Sequence, residues 1–397
     1  MDILNNTMTV EDFILLIGDD FPLLKQYKDT IQDPVWHAEG DVHIHTDMVL
    51  AETYELINTH DLDRKSAQVL VLAALFHDYG KPLSTKPVEI KGEEKIAAPH
   101  HEELGASRLL FCKPPFELSQ SDWMRVLNLV AYHHIPKRLV VKDLGKNEYF
   151  KLTRRVKDIE LLYLLEVADM KGRTCKDKDK QIEILEIFKM FCIEYQVWDQ
   201  NPYAGCIGMV KEKFPDHANP EWIASQMASR FEDGQIHMLE EEIARAYQYK
   251  DSQCHLVIMC SLPGAGKSTL VKNDYKGYEV ISLDEIRDEI AKCRSIQSLN
   301  DDVARVGHER LREALRARKN IVWDATTYRK DFRSKVAQLG FDYKAFVEIV
   351  FMHKPLDVIF AQNDSRKHAV PKEAMLSIID AFQKPDIDEC HELKIVM

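Results

Sequence analysis

The stretch SLPGAGKST (261–269) constrains this chain more than any other. It follows a short apolar run, HLVIMC (255–260), and precedes a segment of helical character, so it reads as strand, glycine-rich turn and helix. Gly264, Ala265 and Gly266 let the backbone curl until successive N–H groups point inward, a nest that suits a polyphosphate. Lys267 then reaches the terminal phosphates. Ser268 and Thr269 open the helix, with the Ser268 hydroxyl placed to hold Mg²⁺. Ser261 stands at the first position of G-x-x-x-x-G-K-[ST], where glycine is usual, and must tolerate the turn. The loop predicts a nucleoside triphosphate (ATP or another NTP) and Mg²⁺ as cofactors.

The surrounding sequence predicts the sheet that carries such a loop. YEVIS (278–282), NIVWDA (320–325) and KAFVEIVFM (344–352) are further short strands. Helical stretches such as DDVARVGHERLREALRARK (301–319) separate them. Strands alternating with helices imply a parallel sheet with helices on its faces. Asp284 lies just past the second strand, in ISLDEIRDE, with Arg287 one turn on. A carboxylate at the sheet's carboxyl edge accepts a proton from an attacking hydroxyl, and the arginine grips a phosphate of the acceptor. Asp324 ends the strand NIVWDA, where an acid assists the Mg²⁺ shell. NDSRKHAVPKEAM places Arg366 and Lys367 before a proline-started helix, the position of a helical lid that closes on donor phosphates.

The first 250 residues follow another rule. SAQVLVLAALFHD (66–78), SDWMRVLNLVAYHH (121–134), IELLYLLEVADM (159–170) and QIEILEIFKMFCIEY (181–195) are too long and too helically spaced for strands. YGKPLSTKPVEIKGEEK (79–95) reads as loop. Nine of the sixteen histidines fall between His37 and His134. Five segments supply ligand-type residues: WHAEGDVHIHT (36–46), FHDYGK (76–81), HHEELGA (100–106), AYHHIP (131–136) and EVADMKGR (166–173). His77 and Asp78 end a strongly apolar helix, an odd place for two polar groups without a partner. Several imidazoles, one shared carboxylate and a closing aspartate are what two divalent metals need to share a site. Lys81 and Arg173, each one turn after a ligand-type aspartate, are suitable cations for a phosphate.

Composition narrows the classes. A length of 397 residues allows roughly two domains. The net charge of −12 lies in the first 250 residues, and the remainder is balanced, which argues against bulk duplex binding and favours a grip on a few terminal nucleotides. The scattered cysteines form no C-x-x-C pair, which suits reduced thiols. No run approaches the ~18 apolar residues of a membrane span. The expectation is a cytoplasmic enzyme with no membrane partner.

Together, S-L-P-G-A-G-K-S, S-L-D-E-I-R, V-W-D-A-T and the late R-x-x-x-V-P resemble the polynucleotide 5′-kinase family over about 150 residues. That resemblance implies that Lys267 and Ser268 bind phosphate and metal, Asp284 is the general base, Arg287 contacts the acceptor phosphate and Arg366 clamps the donor. The front half is similar to the HD phosphohydrolase superfamily, an all-helical metal-dependent fold. Its motif order implies His45, His77, Asp78, His101, His133 and Asp169 as metal ligands, with His37 at the pocket mouth orienting phosphate. His43 or His37 competes with His45, His100 with His101, and His134 with His133. The implied metals are two transition ions such as Mn²⁺, Ni²⁺, Co²⁺ or Fe²⁺.

The whole chain resembles the bacterial HD-Pnk end-healing enzymes. The expected fold is multidomain: an all-α HD domain (1–202), a helical linker or buttress (203–250) and an α/β P-loop kinase domain (251–397). The expected function is bifunctional. The kinase phosphorylates 5′-OH ends of RNA or DNA, and the HD domain hydrolyses 2′,3′-cyclic phosphate and 2′- or 3′-phosphate ends. No nucleotidyl-transfer K-x-D-G motif appears, so sealing falls to a separate ligase. Two other readings share the motifs: an HD nucleotidase fused to a nucleoside or sugar kinase, and an NTP-regulated HD signalling or defence hydrolase.

Overall fold

The computed structural model describes residues 1–397 except 1, 5–7, 91, 218, 248–253, 292–299 and 367–368. Lys367 therefore lies outside the described residues. The chain divides into two compact units, Met1–Pro202 and Tyr203–Met397. Among the described residues no helix is long and apolar enough to cross a membrane.

The first unit is helical with one hairpin. Asp63 starts the helix Arg64–Phe76 by accepting from the Lys65 and Ser66 amides. Every residue from Val69 to Phe76 is buried, which marks a helix apolar all round and surrounded by others. It packs against Val42–Thr59, Gln120–Tyr132 and Ile159–Lys171. Phe76, Phe21, Tyr79 and Trp123 form an aromatic cluster beneath the end of this helix. The following segment differs from the loop expected over 79–95. Lys81–Ser84 makes one helical turn, and β1 (Lys86–Ile90) pairs antiparallel with β2 (Glu93–Ala97). Pro87 and the dense Lys and Glu hid the hairpin, because they mimic loop composition in strands exposed to water.

The second unit holds a five-stranded, all-parallel sheet of β3 (His255–Cys260), β4 (Glu279–Ser282), β5 (Ile321–Asp324), β6 (Phe346–Met352) and β7 (Glu392–Val396). The strand order is β4-β5-β3-β6-β7, and β7 was not expected from the sequence. All seven residues of β6 are buried, as a central parallel strand covered on both faces requires. The connection from β3 runs to β4 and that from β5 to β6, so the chain leaves these neighbouring strands in opposite directions. The carboxyl edge between them opens the crevice where such sheets hold ligands. Residues 203–247 fold onto this unit: Val210, Phe214, Trp222, Ile223 and Met227 pack with Phe346, and Ser225 Oγ donates to the His391 carbonyl at 2.6 Å. Within the helical linker expected over 203–250, Pro220–Glu232 and Glu241–Ala246 are separate helices, because Gly234 turns the chain with φ 68°.

Candidate active sites

In the second unit the phosphate loop follows β3. Gly264 and Gly266 take φ of 88° and 97°, and Gly266 caps the helix Lys267–Asp274. A Cβ on Gly264 would lie 2.8 Å from the Ile359 carbonyl, so the helix Leu356–Asp364 rests directly on the loop. Asn363, at its end, bonds both the amide and the carbonyl of Val370. Arg366 is exposed, near enough to act electrostatically on Lys267 and Asp324. Ser261 is buried, and its hydroxyl accepts from Lys267 Nζ at 3.2 Å, so the residue replacing the usual glycine holds the loop lysine.

The four charged groups expected at this site lie together. Burial pushes the Lys267 ammonium below the usual lysine range, with Asp324 and Asp284 pulling against it and Arg366 reinforcing it. Burial likewise pushes the Asp324 carboxyl up, with Lys267 opposing. Asp284 begins the helix Leu283–Ala291, and its Oδ1 pairs with Arg287 Nη1 at 3.1 Å. Its side chain is 60% exposed, which leaves it open to an acceptor. Ser268 and Thr269 are exposed at the helix start. The Ser268 hydroxyl and the Asp324 carboxylate are the hard oxygen donors that Mg²⁺ takes. The turn after β5 is pinned by Arg333, fully buried, which pairs with Glu389 through two bonds of 2.8 and 2.9 Å and donates to the Thr327 and Tyr328 carbonyls. One cation here was not singled out from sequence: Lys354 Nζ lies 3.3 Å from where a Cβ on Gly266 would sit.

In the first unit the histidines converge. His45 comes from the helix Val42–Thr59, His77 and Asp78 from the end of Arg64–Phe76, and His101 from the start of His101–Leu109. His133 follows Gln120–Tyr132, and Asp169 sits in Ile159–Lys171. Gly172 explains how Asp169 comes so close to His45: a Cβ there would sit 2.7 Å from Val49, so only glycine lets the two helices meet. His45, His77, His133 and Asp169 have no exposed surface.

The donor pattern is that of a cation centre. His77, His101 and His133 each send Nδ1 to the carbonyl three residues earlier, at 2.7, 2.8 and 2.8 Å. A carbonyl only accepts, so each Nδ1 carries the proton, and in the neutral ring Nε2 presents a lone pair. His133 Nε2 is buried without a hydrogen bond. His77 Nε2 and His45 Nε2 face each other at 3.3 Å, and His45 Nε2 lies 3.0 Å from Asp169 Oδ1. Lone pairs and a carboxylate aimed at one point repel unless a cation sits among them. Asp78 turns Oδ2 toward His77 at 3.2 Å and Oδ1 toward His101 at 3.2 Å, the two-sided placement a bridging carboxylate needs. The residues thus fit two groups, His45, His77 and Asp169 on one side and His101, His133 and His134 on the other, while His37, Glu39 and His45, and His134, Glu166 and Asp169, also lie close enough to share an ion.

Electrostatics agree. Burial pushes His133 down to about 3 and His37 down to about 4, which keeps both imidazoles neutral and His133 able to ligate. Burial would lower His77 as well, but Asp78 and Asp169 outweigh it and raise it, so its surroundings favour positive charge. Against burial, His77 and Lys81 hold the Asp78 carboxyl well below the usual range, and Arg173 and His45 do so for Asp169.

The alternatives separate in space. His43 pairs with Asp47 at 3.5 Å, outside both groups, and His100 belongs to neither. His133 and His134 both join the second group. Lys81 and Arg173 stand against the ligand-type carboxylates themselves, Lys81 Nζ 2.7 Å from Asp78 and Arg173 Nη2 2.6 Å from Asp169. His37 lies beside His45 with ring centroids 4.8 Å apart. Two buried carboxylates were not singled out from sequence. Glu39 takes His37 Nδ1 at 2.9 Å and faces His45 Nδ1 at 3.1 Å, and Glu166 lies 3.5 Å from His134 Nδ1. Burial would raise Glu39, but its bonds from His37 and His45 hold it well down, whereas burial raises Glu166 to about 8.

Residues 42–169 match the family model described as the HD domain, and residues 256–385 match the one described as an AAA domain. An HD domain and a P-loop kinase-like domain are therefore fused in one chain.

Proposed function

We propose that the chain heals both ends of a broken nucleic-acid strand, phosphorylating a 5′-hydroxyl with an NTP and removing 2′,3′-cyclic phosphate or 2′- and 3′-phosphate. The observation that supports this most is the Asp284–Arg287 pair beside the phosphate loop. Asp284 would take the proton of a 5′-hydroxyl, and Arg287 would hold the phosphodiester next to it on the strand.

In the kinase, Lys267 and the loop amides hold the donor phosphates, and Ser268 with Asp324 would hold Mg²⁺. Asp284 removes the proton of the 5′-hydroxyl as its oxygen bonds the γ-phosphorus and the bond to the NDP breaks. Arg287 leaves Asp284 for the acceptor phosphate, and Arg366 balances the charge that develops on the transferring group.

In the HD domain, His45, His77, Asp78 and Asp169 would hold one divalent ion, and Asp78, His101, His133 and His134 a second. Bound there, the ions supply Lewis acidity and a water acidic enough to attack phosphorus at neutral pH. Lys81 and Arg173, at the edge of the ligand carboxylates, meet the phosphate oxygens, and His37 orients the phosphate at the mouth. RNA and DNA ends are the substrates, and a separate ligase joins what this chain prepares.

The test is an acceptor competition. With Mg²⁺ and labelled NTP, label should enter a 5′-OH oligonucleotide in preference to a free nucleoside present at the same concentration. Preference for the nucleoside would overturn the reading in favour of a small-molecule kinase.

A further inference from the structure

The histidines of the HD centre are held from behind in two different ways. His77, His101 and His133 lean on backbone carbonyls, those of Ala74, Ala98 and Val130. His45 and His134 turn Nδ1 to side-chain carboxylates instead, Glu39 Oε1 at 3.1 Å and Glu166 Oε2 at 3.5 Å. The division follows the two ligand groups. His45 belongs with His77 and Asp169, and His134 with His101 and His133, while Glu39 and Glu166 lie close enough to these imidazoles to ligate with them or to stand behind them.

We infer that Glu39 and Glu166 are positioning residues, one for each ion of the centre, each fixing a histidine by Nδ1 so that Nε2 faces the ion. The inference rests on the two-ion reading of this site. A carboxylate behind a ligating imidazole fixes its tautomer and orientation and raises its basicity more than a carbonyl does.

Glu39 is built for this. Its side chain is 2% exposed, Oε1 also takes His37 Nδ1 at 2.9 Å, and Oε2 accepts the Thr174 amide at 2.8 Å. Glu166 sits one turn before Asp169 on the same helix, with no exposed surface. Neither of its oxygens has a hydrogen bond among the described residues, and the nearest cation is Lys137 Nζ at 3.8 Å. A buried carboxylate left this way is costly, so its retention calls for a partner. His134 Nδ1, 3.5 Å from Oε2, is the nearest group able to supply one.

The experiment counts ions. Co²⁺ is titrated into the full chain and followed by calorimetry and visible absorption, for the native protein and for Glu39→Ala, Glu166→Ala and Glu166→Gln. The native chain should bind two ions. Each alanine variant should keep one at native affinity and bind the other ~10–100-fold more weakly. The ion weakened in Glu39→Ala should be the one lost in His77→Ala, and that weakened in Glu166→Ala the one lost in His101→Ala. Glu166→Gln, which keeps an oxygen for the Nδ1 proton and nearly the native shape, should retain both ions with a shifted spectrum for one. An alanine variant that binds both ions as the native chain does, or loses both together, overturns the inference. Complete loss of one ion in Glu166→Gln would show direct coordination and overturn it too. A native chain that binds fewer than two ions removes the centre itself, leaving the end-healing reading to be judged by the acceptor competition.

Discussion

The HD centre and the kinase centre differ in how much of each is assembled before anything binds. The first draws its ligands from helices packed in a core, and its main members have no exposed surface. The second is spread along the carboxyl edge of a sheet, with Asp284 60% exposed and Arg366 exposed on a loop. A pair of ions needs donors fixed beforehand, because each desolvated carboxylate or imidazole must already point inward. A kinase must admit two substrates and then exclude water, so its charges stand where they can move. One site is buried among packed helices and the other stands open at a sheet edge.

The largest effects should come from cutting that contrast at its two centres. Asp78→Ala removes the carboxylate that faces both ligand groups, and phosphoesterase activity should fall at least ~10³-fold while 5′-phosphorylation stays within about 2-fold. Lys267→Ala should do the reverse, lowering phosphorylation by ~10²–10³-fold and sparing hydrolysis. Assays of both activities on the same preparations check this. Loss of hydrolysis in Lys267→Ala would break the comparison, because it would make the loop a regulator of the HD site.

Metal removal should sharpen it. Stripping divalent ions should lower the thermal midpoint of the HD unfolding transition by several degrees, since ligand binding to the native state stabilises it, whereas Mg²⁺ without nucleotide should barely move the kinase transition. Scanning calorimetry with and without chelator reads both. Arg287→Ala should raise the acceptor KM by ~10-fold with a smaller change in NTP KM, as expected for one lost charge-assisted contact. The smallest effect is expected from Ser261→Gly. It frees Lys267 of one long hydrogen bond to a neutral hydroxyl and restores the usual loop residue, so NTP KM should change by no more than ~5-fold.

Much of this was legible in the sequence, for reasons that differ between the halves. The phosphate loop, Asp284, Arg287 and Asp324 are local: each is fixed by its distance from a strand end, and the structure brings Lys267, Asp284, Asp324 and Arg366 together. The HD segments were legible as an order of residue types. Which of two adjacent histidines turns inward was not, because it depends on how the chain leaves a helix, and His133 and His134 both enter the second group. Glu39 and Glu166 were in plain view in WHAEGD and EVADM, yet a glutamate in either context reads as a solvated charge. Only packing against distant helices buries them. The hairpin over Lys86–Ala97 and strand β7 were hidden for the same kind of reason, since short exposed or terminal strands gain their pairing from partners rather than from their own pattern.

The central claim is that opposite chemistries at opposite ends of one strand belong to separate centres on this chain. An RNA carrying a 5′-hydroxyl and a 2′,3′-cyclic phosphate, incubated with NTP, Mg²⁺ and Mn²⁺ and read by intact mass, tests it directly. The native chain should return a strand with a 5′-phosphate and a free 3′ end. Asp78→Ala should change only the 5′ end, Asp284→Ala only the 3′ end, and the two variants mixed should restore both. A strand altered at neither end by the native chain, or a mixture that fails where the native chain succeeds, would contradict the account.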